Sequence, residues 1–391
     1  MSSEPTSRSR PPGPLAGVRV LDFSTRLPGP LASLILAEAG AEVIKVERPG
    51  AGDEARAHRP ALDGDGAAFA LLNRGKRSVS IDLKGEDALA RLAPLVAASD
   101  VLIEQFRPGV MERLGLGYEH ARKINPRIVY ASITGYGEGP LAARPGHDLD
   151  YLAQSGLLAL SGDCDGRPVL PPVPIADIAG GSYPLVVNVL LALRERERTG
   201  EGCRIGISMH DNLLTLAYWA LAEGWATGRW PQAGAARLTG GSPRYGVYRT
   251  LDGRFVTCTP LEDAFWQRFC DALGLDAAHR EGAVGDRDAQ ARIAAILATR
   301  TAAEWTTRLT AADVPHAIAH SLDEALAATA NRHPSLFAAR LRRGDVDVPA
   351  LPLPIAPALR ATPSSLGWPR LGEDDDVLLG HDRGRGGSKA S

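Results

Sequence analysis

The chain has 391 residues, 44% of them apolar and 23% charged, with a net charge of −2 at pH 7. Single cores seldom grow past about 250–300 residues, so this length predicts more than one domain. The near-neutral balance excludes a globally basic nucleic-acid face or membrane-binding surface, and an anionic ligand has to be met by a local basic cluster. Arginine has to supply it, because the only lysines are Lys45, Lys76, Lys84, Lys123 and Lys389. The four cysteines, Cys164, Cys203, Cys258 and Cys270, form no CxxC pair. That argues against a metal site and a disulfide framework. The start, MSSEPTSRSRPPGP, lacks the apolar stretch of a signal peptide, and no run of about 18 apolar residues is evident. A reducing cytoplasm is the expected setting. Both ends, MSSEPTSRSRPPGP and GHDRGRGGSKAS, read as disordered tails.

In chain order, residues 17–23 (GVRVLDF) suit a buried strand, 31–39 (LASLILAEA) a helix closed by Gly40, and 42–47 (EVIKVE) a second strand. Further strands are expected at 78–83, 101–104 and 128–134, with a helix over 87–98. This alternation predicts an α/β domain with a parallel sheet covered on both faces. Its first turn reads STRLPGPL and lacks the GxGxxG glycines, which disfavours a nicotinamide or flavin dehydrogenase. A long apolar helix is expected from about Gly181 to Arg198, ending at Gly200, and another after Asp211. Residues 226–244 read as a linker, and 245–325 as a smaller α+β domain opened by a strand pair turning at Asp252-Gly253. Residues 326–391, rich in Pro and Leu, predict little regular structure. The expected division is 1–210 as a large domain, 211–244 as helix and linker, 245–325 as a small domain, and 326–391 as linker and C-terminal stretch.

Three places can carry chemistry. In R-P-G-H-D-L-D-Y, residues 144–151, His147 is the side chain suited to moving protons near neutral pH, or else a hydrated surface residue. In P-I-A-D-I-A-G-G-S, Asp177 stands at the mouth of the long helix. A helix start stabilises a carboxylate, and Gly180 and Gly181 would let a ligand approach the backbone. The plain alternative is an N-cap. Glu262, between a strand and an amphipathic helix, has the same alternative. Phosphate-binding candidates are Arg48, the run Asn73-Arg74-Gly75-Lys76-Arg77, Arg107 and Arg113, at the ends of successive α/β units where open sheets bind ligands. His210 in S-M-H-D-N reads as a structural or partner-contacting residue.

Five segments occur in series: LAGVRVLDF, GAEVIKVERP, NRGKRSVSIDLK, SDVLIEQFRPGVMERLGLG and NPRIVYASITGYG. In that order they resemble the family III CoA-transferases, from about Gly13 to Ala325, with a weaker tail at Pro369–Glu373 (PRLGE). Within that family the likeness is nearest to the α-methylacyl-CoA racemases. The supporting motifs are G-H-D-x-x-Y (Gly146, His147, Asp148, Tyr151), a glutamate followed by an aromatic pair (Glu262, Phe265, Trp266), and GGSPRY at 240–245. The sequence departs at I-A-D-I, where racemases more typically have G-D-F, and at E-D-A-F-W in place of E-P-Q-F-Y. The first departure is nearer to the transferases.

The resemblance implies a doubly wound large domain made of residues 1–210 with the returning C-terminal stretch, an acyl-CoA substrate, no separate cofactor because coenzyme A is part of that substrate, and an interlocked homodimer. In such a dimer Glu262 reaches Asp177 from the partner chain. It gives catalytic roles to His147, Asp177 and Glu262, and an oxyanion role to the backbone around Asp148. It places CoA contacts at Arg48, Leu72, Lys76, Gln105 and Phe106, and further ones at Arg107, Arg113, Gly146 and Tyr151. A racemase needs one proton carrier on each face of a planar enolate, whereas a transferase uses the aspartate as a nucleophile and needs no such histidine. Both reactions stay open at this point, as does an acyl-CoA binding protein without chemistry.

Overall fold

A computed structural model describes residues 13–162, 167–361 and 366–380. Both tails beyond Gly13 and Gly380, and Cys164, lie outside the described residues. The chain divides into two compact units. One comprises residues 1–151, 174–213 and 333–391, and the other 152–173 and 214–332. Residues 152–173, and most of the expected linker before 245, therefore group with the second unit.

The first unit is built on a six-stranded sheet. Its elements begin with β1 (Arg19–Asp22), α1 (Pro28–Glu38), β2 (Glu42–Glu47) and β3 (Arg77–Ser80). They continue with α2 (Ala88–Ala97), β4 (Val101–Glu104), α3 (Tyr118–Ile124) and β5 (Val129–Thr134), then α4 (Asp148–Gln154), α5 (Tyr183–Thr199) and β6 (Cys203–Ser208). The strand order is β3-β2-β1-β4-β5-β6, and every pairing is parallel. Strands buried on both faces read as near-continuous apolar runs, which is why RVLD, EVIKVE and VLIE carry so little polar alternation. One face packs Leu21, Ile44, Val79 and Leu102 against Leu92 and Val96 of α2 and Ala121 of α3. On the other face α1 lies against β1 and β2, and α5 against β5 and β6. Proline at the start of α1 fits the first helical turn, where a missing N–H costs nothing.

Strand order reverses between β1 and β4, so the loops leaving their C-terminal ends diverge and open a crevice.

The C-terminal stretch is more regular than its composition suggests. Arg340–Arg343 and Val346–Pro349 form a hairpin around Gly344, and the expected structureless segment from 326 opens inside a helix, Leu322–Arg332. Farther on, Asp374 and Asp375 accept the backbone N–H groups of Ser78 (3.0 Å) and Ser80 (2.7 Å), and Arg77 pairs with Asp374 at 2.7 Å. These bonds occupy the outer edge of β3, where unpaired N–H groups would otherwise recruit another strand.

A second difference concerns apolar length. The helical run Ala176–Thr199 is long and apolar enough to cross a membrane by length and composition alone, and half of its most apolar window is buried within the protein.

In the second unit β7 (Gly246–Arg249), β8 (Phe255–Cys258) and β9 (His316–Ile318) form an antiparallel sheet in the order β9-β8-β7. Helices α6 (Asp263–Leu273), α7 (Arg287–Leu297) and α8 (Ala302–Ala311) enclose a core of Trp266, Phe269, Ile293 and Trp305.

Candidate active site

A cleft of about 640 Å³ opens in the first unit at the C-terminal ends of β1, β4 and β5. Its floor and walls come from the loop after β1 (Thr25, Arg26, Pro28), the loop after β4 (Gln105, Phe106, Arg107) and the end of β5. They also come from the turn Arg144–His147, Tyr151 and Asp177. His147 and Asp177, far apart in sequence, thus line one cavity.

The loop after β1 is held from beneath by buried charge. Asp22, fully buried, accepts from Ser24 N–H at 2.9 Å, from the Ser24 hydroxyl and from the Ser33 hydroxyl at 2.5 Å. Lys45 Nζ sits 2.9 Å from the Asp53 carboxylate and donates to Ser24 O at 2.6 Å, while Asp53 also accepts from Arg26 N–H. Gln105 Oε1 accepts from Gly29 N–H at 3.2 Å, joining the loop after β4 to the start of α1 across the switch point. Buried charges persist when each is paired and hydrogen-bonded, as these are.

That network corrects one expected CoA contact. Lys76 is fully buried, donating to Ser33 Oγ (2.7 Å), Asn73 Oδ1 (2.8 Å) and Pro30 O (3.0 Å), with Asp22 at 3.4 Å. Burial pushes its pKa down to about 8 despite Asp22. Its ammonium is a structural cation and does not reach a phosphate. Leu72 is likewise core, packed with Leu31, Leu34, Ile35 and Leu353, which leaves only its backbone for a ligand. Arg113 is exposed at the end of the short helix Val110–Arg113 and is not among the residues lining the cleft. Arg48 and Arg107 are exposed guanidiniums at the ends of β2 and β4, and Arg107 lines the cleft with Gln105, Phe106, Gly146 and Tyr151.

Asp177 does not cap a helix. It lies in a wide turn of π-helix, Ala176–Ser182, that leads into α5, and its side chain makes no cap bond. Such turns break the regular ladder and frequently mark functional positions. Here the turn is pinned from outside. Ser182 Oγ donates to Pro28 O at 2.8 Å, and Asn212 Nδ2 donates to Gly180 O at 2.8 Å. The glycine pair serves this packing and not ligand approach: a Cβ on Gly180 would stand 2.3 Å from Met209 O, and one on Gly181 3.1 Å from Met209 Cγ. Ile178 fills the core beside α1.

The electrostatics follow from the neighbours. Burial raises the Asp177 pKa to about 6, the nearby Asp148 carboxylate adds to the rise, and His147 opposes it. Asp148 Oδ1 accepts the Asp177 N–H at 2.9 Å. His147 is exposed at the entry to α4, its backbone N–H donating to the Asp150 carboxylate at 2.9 Å. Tyr151 is buried and donates to Gly146 O at 2.6 Å, so its ring edge is what it offers the cleft. A Cβ on Gly146 would stand 2.8 Å from that ring, and only glycine fits there. Burial, reinforced by Asp177, lifts the Tyr151 phenol to about 12.

Glu262 belongs to the second unit. It is exposed at the N-cap position of α6 and makes no side-chain cap bond, so its carboxylate is uncommitted there. His210 does not line the cleft; its Nδ1 lies 2.8 Å from Asp211, and its ring tilts against Tyr136. Sequence reasoning missed Arg26, Arg144 and Met209 in the cleft wall, and Ser182 and Asn212 behind it. The last two stand inside motifs that were legible, ADIAGGS and SMHDN, but nothing local says what they hold.

Residues 15–375 match the sequence model of CoA-transferase family III. The chain belongs to that family. It is 39% identical to the acetyl-CoA:oxalate CoA-transferase of Acetobacter aceti over 69% of each chain. It is 33% identical to the mouse (Mus musculus) α-methylacyl-CoA racemase over 93% of this chain and 92% of the racemase. Among solved structures, a Mycobacterium tuberculosis protein superimposes with a TM-score of 0.80 at 31% identity, covering 94% of this chain and 99% of the other. A CaiB/BaiF family protein from Brucella suis gives 0.79 at 28% identity, over 94% and 99%. The family and its fold are therefore those expected from the sequence, and relatives named for both reactions occur within it.

Proposed function

We propose that this family III enzyme interconverts the two configurations at the α-carbon of a 2-methylacyl-CoA thioester. The observation that carries the reading is an imidazole, His147, and a carboxyl titrating near 6, Asp177, on the walls of one cleft. The thioester carbonyl acidifies the α-hydrogen. One carrier removes that proton, the electron pair delocalises onto the carbonyl oxygen, and the other carrier returns a proton to the opposite face. Each turnover leaves the two carriers with exchanged protonation states, restored through solvent. A carboxyl titrating near 6 is available in both forms near neutral pH, which an ordinary aspartate is not.

Asp148 opens α4; the Asp150 and Tyr151 N–H groups already donate to His147 O, so those of Asp148 and Leu149 are the ones left without an acceptor in the helix ladder. In this reading they meet the developing enolate oxygen. Arg48 and Arg107 take the CoA phosphates. Glu262 completes the site from a partner chain in an interlocked homodimer, sharing a proton with Asp177. The reaction needs no cofactor beyond the CoA of the substrate, and its setting is the cytoplasm.

The second reading is CoA transfer, favoured by the 39% identity to an oxalate CoA-transferase. There the Asp177 carboxylate attacks the thioester carbonyl and expels CoA thiolate, giving a mixed anhydride. The thiolate then attacks the aspartyl carbonyl, releasing the first acid and leaving an aspartyl-CoA thioester. Incubation with a single 2-methylacyl-CoA in heavy water separates the two. Deuterium entering the α-position without any acid acceptor supports racemisation. CoA exchange with a free acid, with hydroxylamine-sensitive enzyme and no α-exchange, overturns it in favour of transfer.

A further inference from the structure

The two proposed proton carriers stand on segments with separate anchors. The turn bearing His147 is fixed through Tyr151, whose hydroxyl holds Gly146 O and whose ring meets Tyr136 edge-on at 5.1 Å between centroids. The π turn bearing Asp177 is fixed by its own Ser182, whose hydroxyl donates to Pro28 O, and by its Gly180 carbonyl, which accepts from Asn212 Nδ2. One hydrogen bond runs directly from the first segment to the second: Asp177 N–H to Asp148 Oδ1, 2.9 Å, between residues 29 apart in the chain. An aspartate in the first turn of a helix ordinarily serves its own helix, by capping or through the dipole. This one is turned away from that role and grips the backbone of the residue that carries the second carboxyl. Asp148 is also the immediate chain neighbour of His147. A covalent bond on one side and a charge-assisted hydrogen bond on the other therefore connect the two carriers.

We propose that the Asp148 carboxylate is a positioning residue that fixes the span between His147 and Asp177, so that each addresses its own face of one α-carbon. The inference rests on the racemase reading, because a transferase with a single nucleophile has no such span to hold. Two-base chemistry tolerates little slack, and a displacement of about 1 Å costs about 10²-fold in rate.

Three variants separate tether from charge. Asp148→Ala removes both, Asp148→Asn keeps an oxygen acceptor without the charge, and Asp148→Glu keeps the charge but moves the oxygen by one methylene. The readout is α-deuterium exchange of 2-methyldecanoyl-CoA in heavy water, followed by proton NMR as kcat and KM over pH 5–9. Asp148→Ala is expected to lower kcat about 100-fold with KM within about twofold. Asp148→Asn should recover kcat to within about fivefold of the parent, and Asp148→Glu should recover less than Asn.

The pH profile gives an independent check. The ionisable groups around Asp177 are Asp148, His147 and Tyr151, with Asp150, Glu54, Arg26, Arg107 and Arg144 elsewhere on the cleft wall. Only the first changes in Asp148→Asn, which removes a negative charge that raises Asp177, so the acidic limb should move to lower pH. Equal losses in Ala and Asn, a better recovery by Glu than by Asn, or a loss confined to KM overturns the tether. If Asp148→Ala does not fold, the Asn and Glu comparison decides alone. A parent that exchanges no deuterium refutes the racemase reading and the tether with it, whereas an exchanging parent matched by Asp148→Ala refutes the tether only.

Discussion

Asp177 should cost the folded protein stability, and by an amount that depends on pH. Its pKa moves from an ordinary 3.8 to about 6 on folding, mainly through burial. Below 3.8 the group is protonated whether folded or not, and the extra stability of the protonated native state is fully present. As pH rises, the unfolded chain ionises first while the folded one holds its proton, and that advantage is lost between 3.8 and about 6. At about 1.36 kcal/mol per tenfold, the full gap is about 3 kcal/mol. Roughly half has already been lost by pH 5, leaving about 1–2 kcal/mol still to go between pH 5 and pH 8. Asp177→Asn preserves size and removes the titration. The stability difference between variant and parent should therefore grow in the variant's favour by about 1–2 kcal/mol from pH 5 to pH 8. Urea unfolding at both pH values, at one fixed protein concentration, measures it. A difference that stays flat or shrinks with rising pH would refute the argument that the carboxyl is strained by desolvation, and with it the supply of protonated Asp177 near neutrality.

His147→Ala should reduce α-proton exchange by about 10²–10⁴-fold while acyl-CoA affinity changes little; exchange at the parental rate would remove the two-base scheme. Lys76→Met leaves Asp22 buried with one cation fewer, so a loss of about 3–5 kcal/mol in urea unfolding is expected. A stable variant with CoA affinity selectively weakened would instead return Lys76 to the phosphate site. Gly180→Ala drives a methyl against Met209 O and should cost about 1–3 kcal/mol in the same assay, together with a loss of kcat. Unchanged stability and turnover would show that the π turn is not pinned by that contact.

Much of the fold was legible because its signals are local. Runs such as GVRVLDF and EVIKVE are apolar throughout since parallel strands are buried on both faces, and Pro28 and Gly40 punctuate the helix between them. Strand β6 was missed because CRIGIS, at the edge of the sheet, has half its residues exposed and only Ile207 buried, so it looks like a loop. The hairpin near 340–349 was hidden by its charged residues, whose partners are Asp63, Asp65 and Asp347.

Short stretches of chain were enough to mark the residues able to do chemistry: an imidazole after a glycine, a carboxyl before a glycine pair, and a family pattern around them. Side-chain type and short spacing are written in the chain, so these needed no coordinates. What each group is free to do depends on the packing of the folded chain. Lys76 and Asp22 satisfy one another in the core, Gly180 and Gly181 admit Met209 and not a ligand, and Asp148 binds the backbone of a residue 29 positions away. Desolvation and long-range hydrogen bonds depend on what folding brings near, and no local window of sequence contains that information.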